Sequence, residues 1–375
     1  MTAYYQLAVL GAPTATQLDE LHNALSHAIA GSGLRLGYEI TWEVLPAAFK
    51  PSQLQPAAVV FFGGEVPHLA NLQELLQRGI PILPVGDNTE MPVALRPLHC
   101  FNYASDGAAG VASALLACAG LLPRQRKVFI SYHQDESAEV ASQLFEALTA
   151  RQFDVFLDHA DMQSAADLRT MAWHRLYDAD VLLMLDTPAY FESRWTNAEF
   201  GRLLAKGLSV LRVGWPDTAP ARRTLTASRV DLSDSDMEPA AGLLAEHALQ
   251  RICLKLEEVR SQNHAVRSVN LVSSIRIAME AIGGRMLAAG AQQAIYLQLP
   301  DGRPLVVYPV TGVPTPVLLR QALEAAAAQP MTGIYDHVGL HAKWLARLDW
   351  LDGHDSSVRW LKSSEAAWQF AHWEN

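Results

Sequence analysis

Short apolar runs alternate with amphipathic stretches through the first third of the chain. The runs at residues 7–10, 40–45, 57–62 and 80–85 are separated by helix-period segments at 16–30 and 69–77. Such alternation predicts a parallel sheet covered by helices on its faces. Residues 107–122, mostly Gly, Ala and Leu, predict a small-residue helix lying close on that sheet, capped by Ser105 or Asp106. The segment Leu122-Pro123-Arg124-Gln125-Arg126 breaks the pattern. Alternation then restarts, with apolar runs at 128–132, 155–157, 181–185, 208–213 and 229–232 and helical segments at 138–150 and 196–206. From residue 240 the character changes again. Helical stretches at 240–258 and 269–289 flank a polar link, Arg260-Ser261-Gln262-Asn263. A hairpin follows, 294–299 with 305–310, turned by Pro300-Asp301-Gly302-Arg303. Three domains are expected: a Rossmann-like module at 1–123, a second parallel-sheet domain at 124–259, and a smaller α+β domain at 260–375.

Residues 72–85, LQELLQRGIPILPV, align without gaps over 200–213, FGRLLAKGLSVLRV. Two accounts fit. Any helix that ends on a Gly before a buried strand has this outline, and so does a duplicated module of which only the second copy kept its polar residues.

The 375 residues include 39 acidic and 29 basic side chains, for a formal charge of −10, and no basic run stands out. A phosphate backbone would be repelled, so nucleic acid is not an expected partner. The three cysteines, Cys100, Cys118 and Cys253, form neither a disulfide framework nor a CxxC pair, which suits a reducing cytoplasm. No basic residue precedes the first apolar run as a secretory signal would require, and the 107–122 stretch is short for a membrane span, so neither export nor a membrane is expected. Five of the nine tryptophans fall in the last 32 residues, a density expected of a core or a subunit interface. The histidines show no HExxH or zinc spacing, and no metal is expected.

The chemistry-bearing residues gather in the second domain. The run KVFISYHQDES carries Ser131, Tyr132 and His133 off the end of one strand, toward the carboxyl edge where open parallel sheets bind ligands. FDVFLDHADMQ brings Asp158 and Asp161 to the same edge. ADVLLMLDTPAYFESRW brings Asp186, Thr187, Pro188 and Tyr190. Trp195-Thr196-Asn197-Ala198-Glu199 then puts a ring and a carboxylate at i and i+4 of a helix start, about 5–6 Å apart on one face.

In these pieces the chain resembles the Toll/interleukin-1 receptor (TIR) domain family in its bacterial form, over about residues 125–258. The resemblance implies a flavodoxin-like fold. For many members it also implies cleavage of NAD+ at the nicotinamide–ribose bond by one glutamate, and Glu199 falls on that position. Trp195 falls on the aromatic residue expected against the nucleotide, while Ser131, Tyr132, His133 and Asp158 are further candidates for substrate binding. NAD+ is thus expected as substrate, with no cofactor. Homo-oligomers that complete the site, and an activating protein or small molecule, are implied in the same way. The chain departs from the family at Gln163-Ser164-Ala165-Ala166, where a Gly is usual, and at Thr187 and Thr196, where Ser and Cys are common. If the internal alignment holds, the first module is a degenerate copy, with Pro67 and Asn71 opposite Trp195 and Glu199.

One carboxylate is enough for this reaction. A sugar alkoxide leaves poorly without an acid, so ordinary glycosidases use two carboxyl groups. Nicotinamide leaves a pyridinium as a neutral molecule, and only the charge developing on the ribose needs an anion. The other expectation is a non-catalytic scaffold acting through TIR–TIR contacts.

Overall fold

The computed structural model describes residues 3–64, 69–157, 173–193, 207–238, 242–314, 331–338, 340, 342–354 and 358–373. The chain divides into two compact units, one formed by Pro123–Asn263 with Val338–His341, the other by Met1–Leu122, His264–His337 and Ala342–Asn375.

In the larger unit, β1 (Tyr5–Gly11), β2 (Ile40–Val44), β3 (Ala57–Phe62) and β4 (Ile82–Val85) form an all-parallel sheet of order β2-β1-β3-β4. Every residue of β3 and β4 is buried, as expected for strands covered on both faces. Helix α1 (Ala15–Ile29) starts on a reciprocal capping box between Thr14 and Gln17 and buries Leu21, Leu25 and Ile29. Helix α2 (Leu69–Gln77) leads into β4. The small-residue helix α3 (Tyr103–Cys118) is broken at Gly107, whose φ of +64° is non-helical, so a short first turn precedes the helix expected from composition. Its cap is Asn102, whose Oδ1 accepts from the Ala104 N–H at 3.0 Å, while Asp106 accepts from the Asn102 N–H at 2.8 Å.

The smaller unit repeats the architecture. Strands β5 (Lys127–Ser131), β6 (Asp154–Leu157), β7 (Val181–Asp186), β8 (Ser209–Gly214) and β9 (Ser228–Asp231) are all parallel in the order β6-β5-β7-β8-β9. That is the flavodoxin-like order 2-1-3-4-5. Helix α4 (Gln134–Ala150) follows β5 and packs Val140, Ala141, Leu144 and Leu148 into the core. The two sheets share the order 2-1-3-4, and the aligned segments end on equivalent fourth strands, β4 and β8. Gly79 and Gly207, at matching places before those strands, both adopt positive φ, +70° and +72°. Positive φ at both glycines is what a Gly stop before a buried strand requires, and the shared strand order is one that open parallel sheets of this class have in common. The expected helix at 196–206 lies outside the described residues.

The third sheet is mixed. Strands β12 (Arg285–Ala289), β13 (Ile295–Gln298) and β14 (Pro304–Val310) pair antiparallel, and β15 (Met331–Tyr335) and β16 (Val358–Lys362) add parallel to them. The β13–β14 hairpin is the expected one, with the Gly302 N–H donating to the Leu299 carbonyl. Of the C-terminal tryptophans, Trp360 is buried in β16, whereas Trp350 and Trp368 are exposed.

The stretch at 240–289 differs from its expected reading. A single helix runs from Glu246 to Ala281, straight through the supposed link, and residues 285–289 are a strand. Arg260, Ser261, Asn263 and His264 are buried on that helix. Arg260 donates to Asp180 at 3.1 Å and to Glu257 at 3.3 Å, and Glu257 in turn pairs with Arg126. Arg126 also stacks 4.0 Å above the Phe153 ring. Pairing with carboxylates and carbonyls is what lets so polar a segment be buried.

Ahead of that helix, the short pair β10 (Met237–Glu238) and β11 (Leu243–Leu244) is anchored by the buried carboxylate of Asp236. It meets Arg251 at 3.0 Å, the Ser233 N–H and hydroxyl at 2.8 Å each, and His247 at 3.0 Å. The Arg251 guanidinium, more than any other neighbour, holds this carboxyl well below the usual carboxylate range. A depressed folded-state pKa stabilises the fold above the unfolded value near ~4, and that stabilisation disappears as pH falls through the folded value. Asp236→Asn should therefore cost about 1.5–3 kcal/mol near neutrality. The gap to wild type should close progressively below about pH 4 in urea titrations. A gap that stayed constant across that range would contradict this assignment.

Candidate functional site

The C-terminal edge of the five-stranded sheet collects the polar residues that the apolar strands beneath it cannot absorb. Strand β5 ends at Ser131, fully buried, its hydroxyl 2.9 Å from the Tyr190 hydroxyl. Tyr190 opens a single helical turn, Tyr190–Ser193, after β7, and its ring meets Phe191 edge-on at 4.9 Å. Tyr132 is buried in the core cluster with Val140 and Leu144, so it shapes the floor of the edge from below. His133 is the N-cap residue of α4. Its imidazole is half-buried, and among the described residues its Nδ1 is enclosed without a hydrogen-bond partner.

Two ties hold the loops of this edge. Glu136, in the first turn of α4, accepts from the Ala189 N–H at 3.0 Å and so links α4 to the loop after β7. The Thr187 hydroxyl, with the Ala189 amide and His133, draws its carboxyl below the ordinary value. The second tie crosses three strands. Arg212 on β8 pairs with Asp186 at the end of β7, reaches Asp231 at the end of β9 at 2.6 Å, and donates to the Thr218 carbonyl at 3.0 Å. Burial pushes the Asp186 carboxyl up while Arg212 opposes that shift. Gly214 makes the arrangement possible, because a Cβ there would stand 2.4 Å from Arg212 Nη1.

Sequence reasoning brought Asp186 to this edge without finding its partner. The available signal was a lone Arg in the otherwise apolar run GLSVLRV. Glu136 was also missed as a tie, since an acidic residue in a first helical turn ordinarily serves only the helix dipole. Of the six expected site residues, Ser131, Tyr132 and His133 are described and adjacent, whereas Asp158, Trp195 and Glu199 lie outside the described residues. Both missing stretches follow directly on strands that end at this edge, β6 and β7 with its single turn.

A five-stranded parallel sheet of flavodoxin-like order, with its polar residues at the carboxyl edge, defines a doubly wound α/β domain. Residues 128–244 match the model of the TIR domain family, and this part of the chain is a TIR domain of the bacterial type. No curated protein matches the chain. Among solved structures, proximal thread matrix protein 1 from the mussel byssus overlaps 67% of this chain and 96% of its own at 10% identity and a TM-score of 0.21. A likeness that slight bears on neither fold nor function. Among the described residues no helix is long and apolar enough to cross a membrane.

Proposed function

We propose that the TIR domain hydrolyses NAD+ at the nicotinamide–ribose bond, releasing nicotinamide and ADP-ribose or a cyclic form of it. The observation that carries this reading is the placement of Trp195-x-x-x-Glu199, inside the family match and directly after the strand and turn that end at the polar edge. Glu199 stabilises the positive charge that grows on the ribose as neutral nicotinamide departs. Trp195 packs against the nucleotide. His133 and Asp158 contact the polar part of the substrate, and Ser131 and Tyr132 support the floor beneath it. Copies of the chain assemble through their TIR domains to complete the site, under an activating protein or small molecule. On this reading the protein is a defence or cell-death effector that empties the NAD+ pool of its cell.

The test mixes concentrated or crowded full-length protein with NAD+ and follows nicotinamide by chromatography, for wild type and Glu199→Ala. Release by the wild type alone supports the reading. Equal silence from both samples, once light scattering shows assembly, supports a scaffold that works through TIR–TIR contacts, and turnover of nucleosides but not NAD+ points to a different hydrolase.

A further inference from the structure

The larger unit holds a cavity of about 220 Å³ on the side of its parallel sheet opposite the usual ligand-binding edge. Ala57, which begins β3, and Gly79-Ile80-Pro81, which lead into β4, form its floor. Ala265, Ser268, Val269, Val272, Ser273 and Arg276 form one wall, at the 3-and-4 spacing that puts them on a single face of the long helix. His264, Gln293 and Cys118 close the back, where the Gln293 amide donates to the Cys118 carbonyl at 2.9 Å and sits 3.2 Å from His264 Nε2.

The charge of this wall runs against that of the chain. The whole sequence carries a formal charge of −10, yet the cavity is lined by two arginines, a histidine, serines and glutamines, with no carboxylate. Arg78 is fixed by donating from Nη2 to the Pro51 carbonyl at 2.6 Å, which leaves its other N–H groups for a second partner. Arg276 lines the same cavity from the helix, its Nη2 3.6 Å from where a Cβ on Gly79 would stand. That same Cβ would stand 2.9 Å from Val272 Cγ1, so the bare Gly79 is what allows the helix to approach the turn and present Arg276 to the cavity. Among the described residues neither guanidinium meets a carboxylate in an ion pair. Two guanidinium groups lining one small cavity, with hydroxyl and amide donors in the same lining, suit an oxyanion with several acceptor oxygens. The volume lies below the roughly 300–1,000 Å³ of pockets for drug-sized molecules, so the occupant is small.

We propose that this cavity binds a small phosphate monoester of about pentose phosphate size, with the phosphate on Arg276 and Arg78 and the polar remainder on Ser268, Ser273 and the glutamines. This site is separate from the TIR edge, and its occupancy does not depend on whether NAD+ is cleaved.

Isothermal titration of the full-length protein tests it with ribose 5-phosphate, ribose, inorganic phosphate and malate as probes. Saturable binding of ribose 5-phosphate is expected, displaced by inorganic phosphate, with no heat from ribose. Arg276→Gln should weaken binding at least about tenfold, since it removes a charged bidentate contact. Arg276 is half-buried on the helix, so this variant should keep the wild-type melting curve, which the same preparation can show. Arg78→Gln should weaken binding similarly. Failure of both ribose 5-phosphate and inorganic phosphate to bind, equal affinity for malate, or undiminished binding by a folded Arg276→Gln would each overturn the proposal.

Discussion

Glu199→Gln is expected to slow nicotinamide release about 10²–10³-fold, the usual loss when one preorganised electrostatic contact to a developing charge is removed. The amide keeps the shape of the side chain and its hydrogen bonding to a ribose, so what disappears is the negative charge. On the proposed function, a change of this kind should fall on kcat, because the proposed contact of Trp195 with the nucleotide is unaltered. The pH profile supplies an independent check. Without an acid to protonate the leaving group, the wild-type rate should fall only on the acidic side, as the carboxylate becomes protonated, and stay level above it. A bell-shaped profile would mean that a second titrating group takes part, and the single-carboxylate scheme would have to be abandoned.

Glu257→Leu is expected to destabilise the TIR unit by about 3–5 kcal/mol in urea unfolding. Glu257 stands between two buried guanidinium groups, Arg126 and Arg260, and both are nearly inaccessible, at 1% and 0% exposure. Losing the carboxylate takes a paired anion away from two buried guanidinium groups, one of which still meets Asp180 at 3.1 Å. The converse makes the prediction specific. Replacing the set together, Arg126→Met, Glu257→Leu, Arg260→Met and Asp180→Asn, should recover much of the loss, because well-packed apolar groups escape the desolvation that ions pay in an interior. If the single variant cost less than about 1 kcal/mol, the network would be behaving like an exposed pair and its burial would not matter.

The same network explains what could and could not be read from the residues. Both parallel sheets were legible because β3, β4, β7 and most of β8 are continuous apolar runs between amphipathic helices. The segment at Arg260-Ser261-Gln262-Asn263 reads as a linker because charged side chains are rarely buried, and it is the contact of Arg260 with Asp180, far away along the chain, that reveals the exception. The long helix also stops where Gly283 and Gly284 interrupt it, before a strand whose Met and Ala residues had fitted a helical pattern. At the TIR edge, the order of strands and boxes placed Ser131, Tyr132 and His133 together. It did not show that Ser131 and Tyr132 are buried, because strand ends give no sign of how deep they sit. The phosphate-sized cavity left no trace in the sequence at all, since its wall is assembled from segments near residues 52–57, 77–81, 118, 264–276 and 293.

The first sheet stops one strand short of the second, and β4 stands last in its order. An uncovered outermost strand presents bare amides and carbonyls to any similar strand and invites fibrous self-association. Here that border is met by the third sheet, through a bridge between Pro81 and Ala289, and by Phe101 alongside Val85. Proline at Pro81 and Pro84 further lowers its capacity to donate. The C-terminal segment thus shields part of that border, and a fragment cut at residue 122 is expected to aggregate more readily than the intact chain in light scattering.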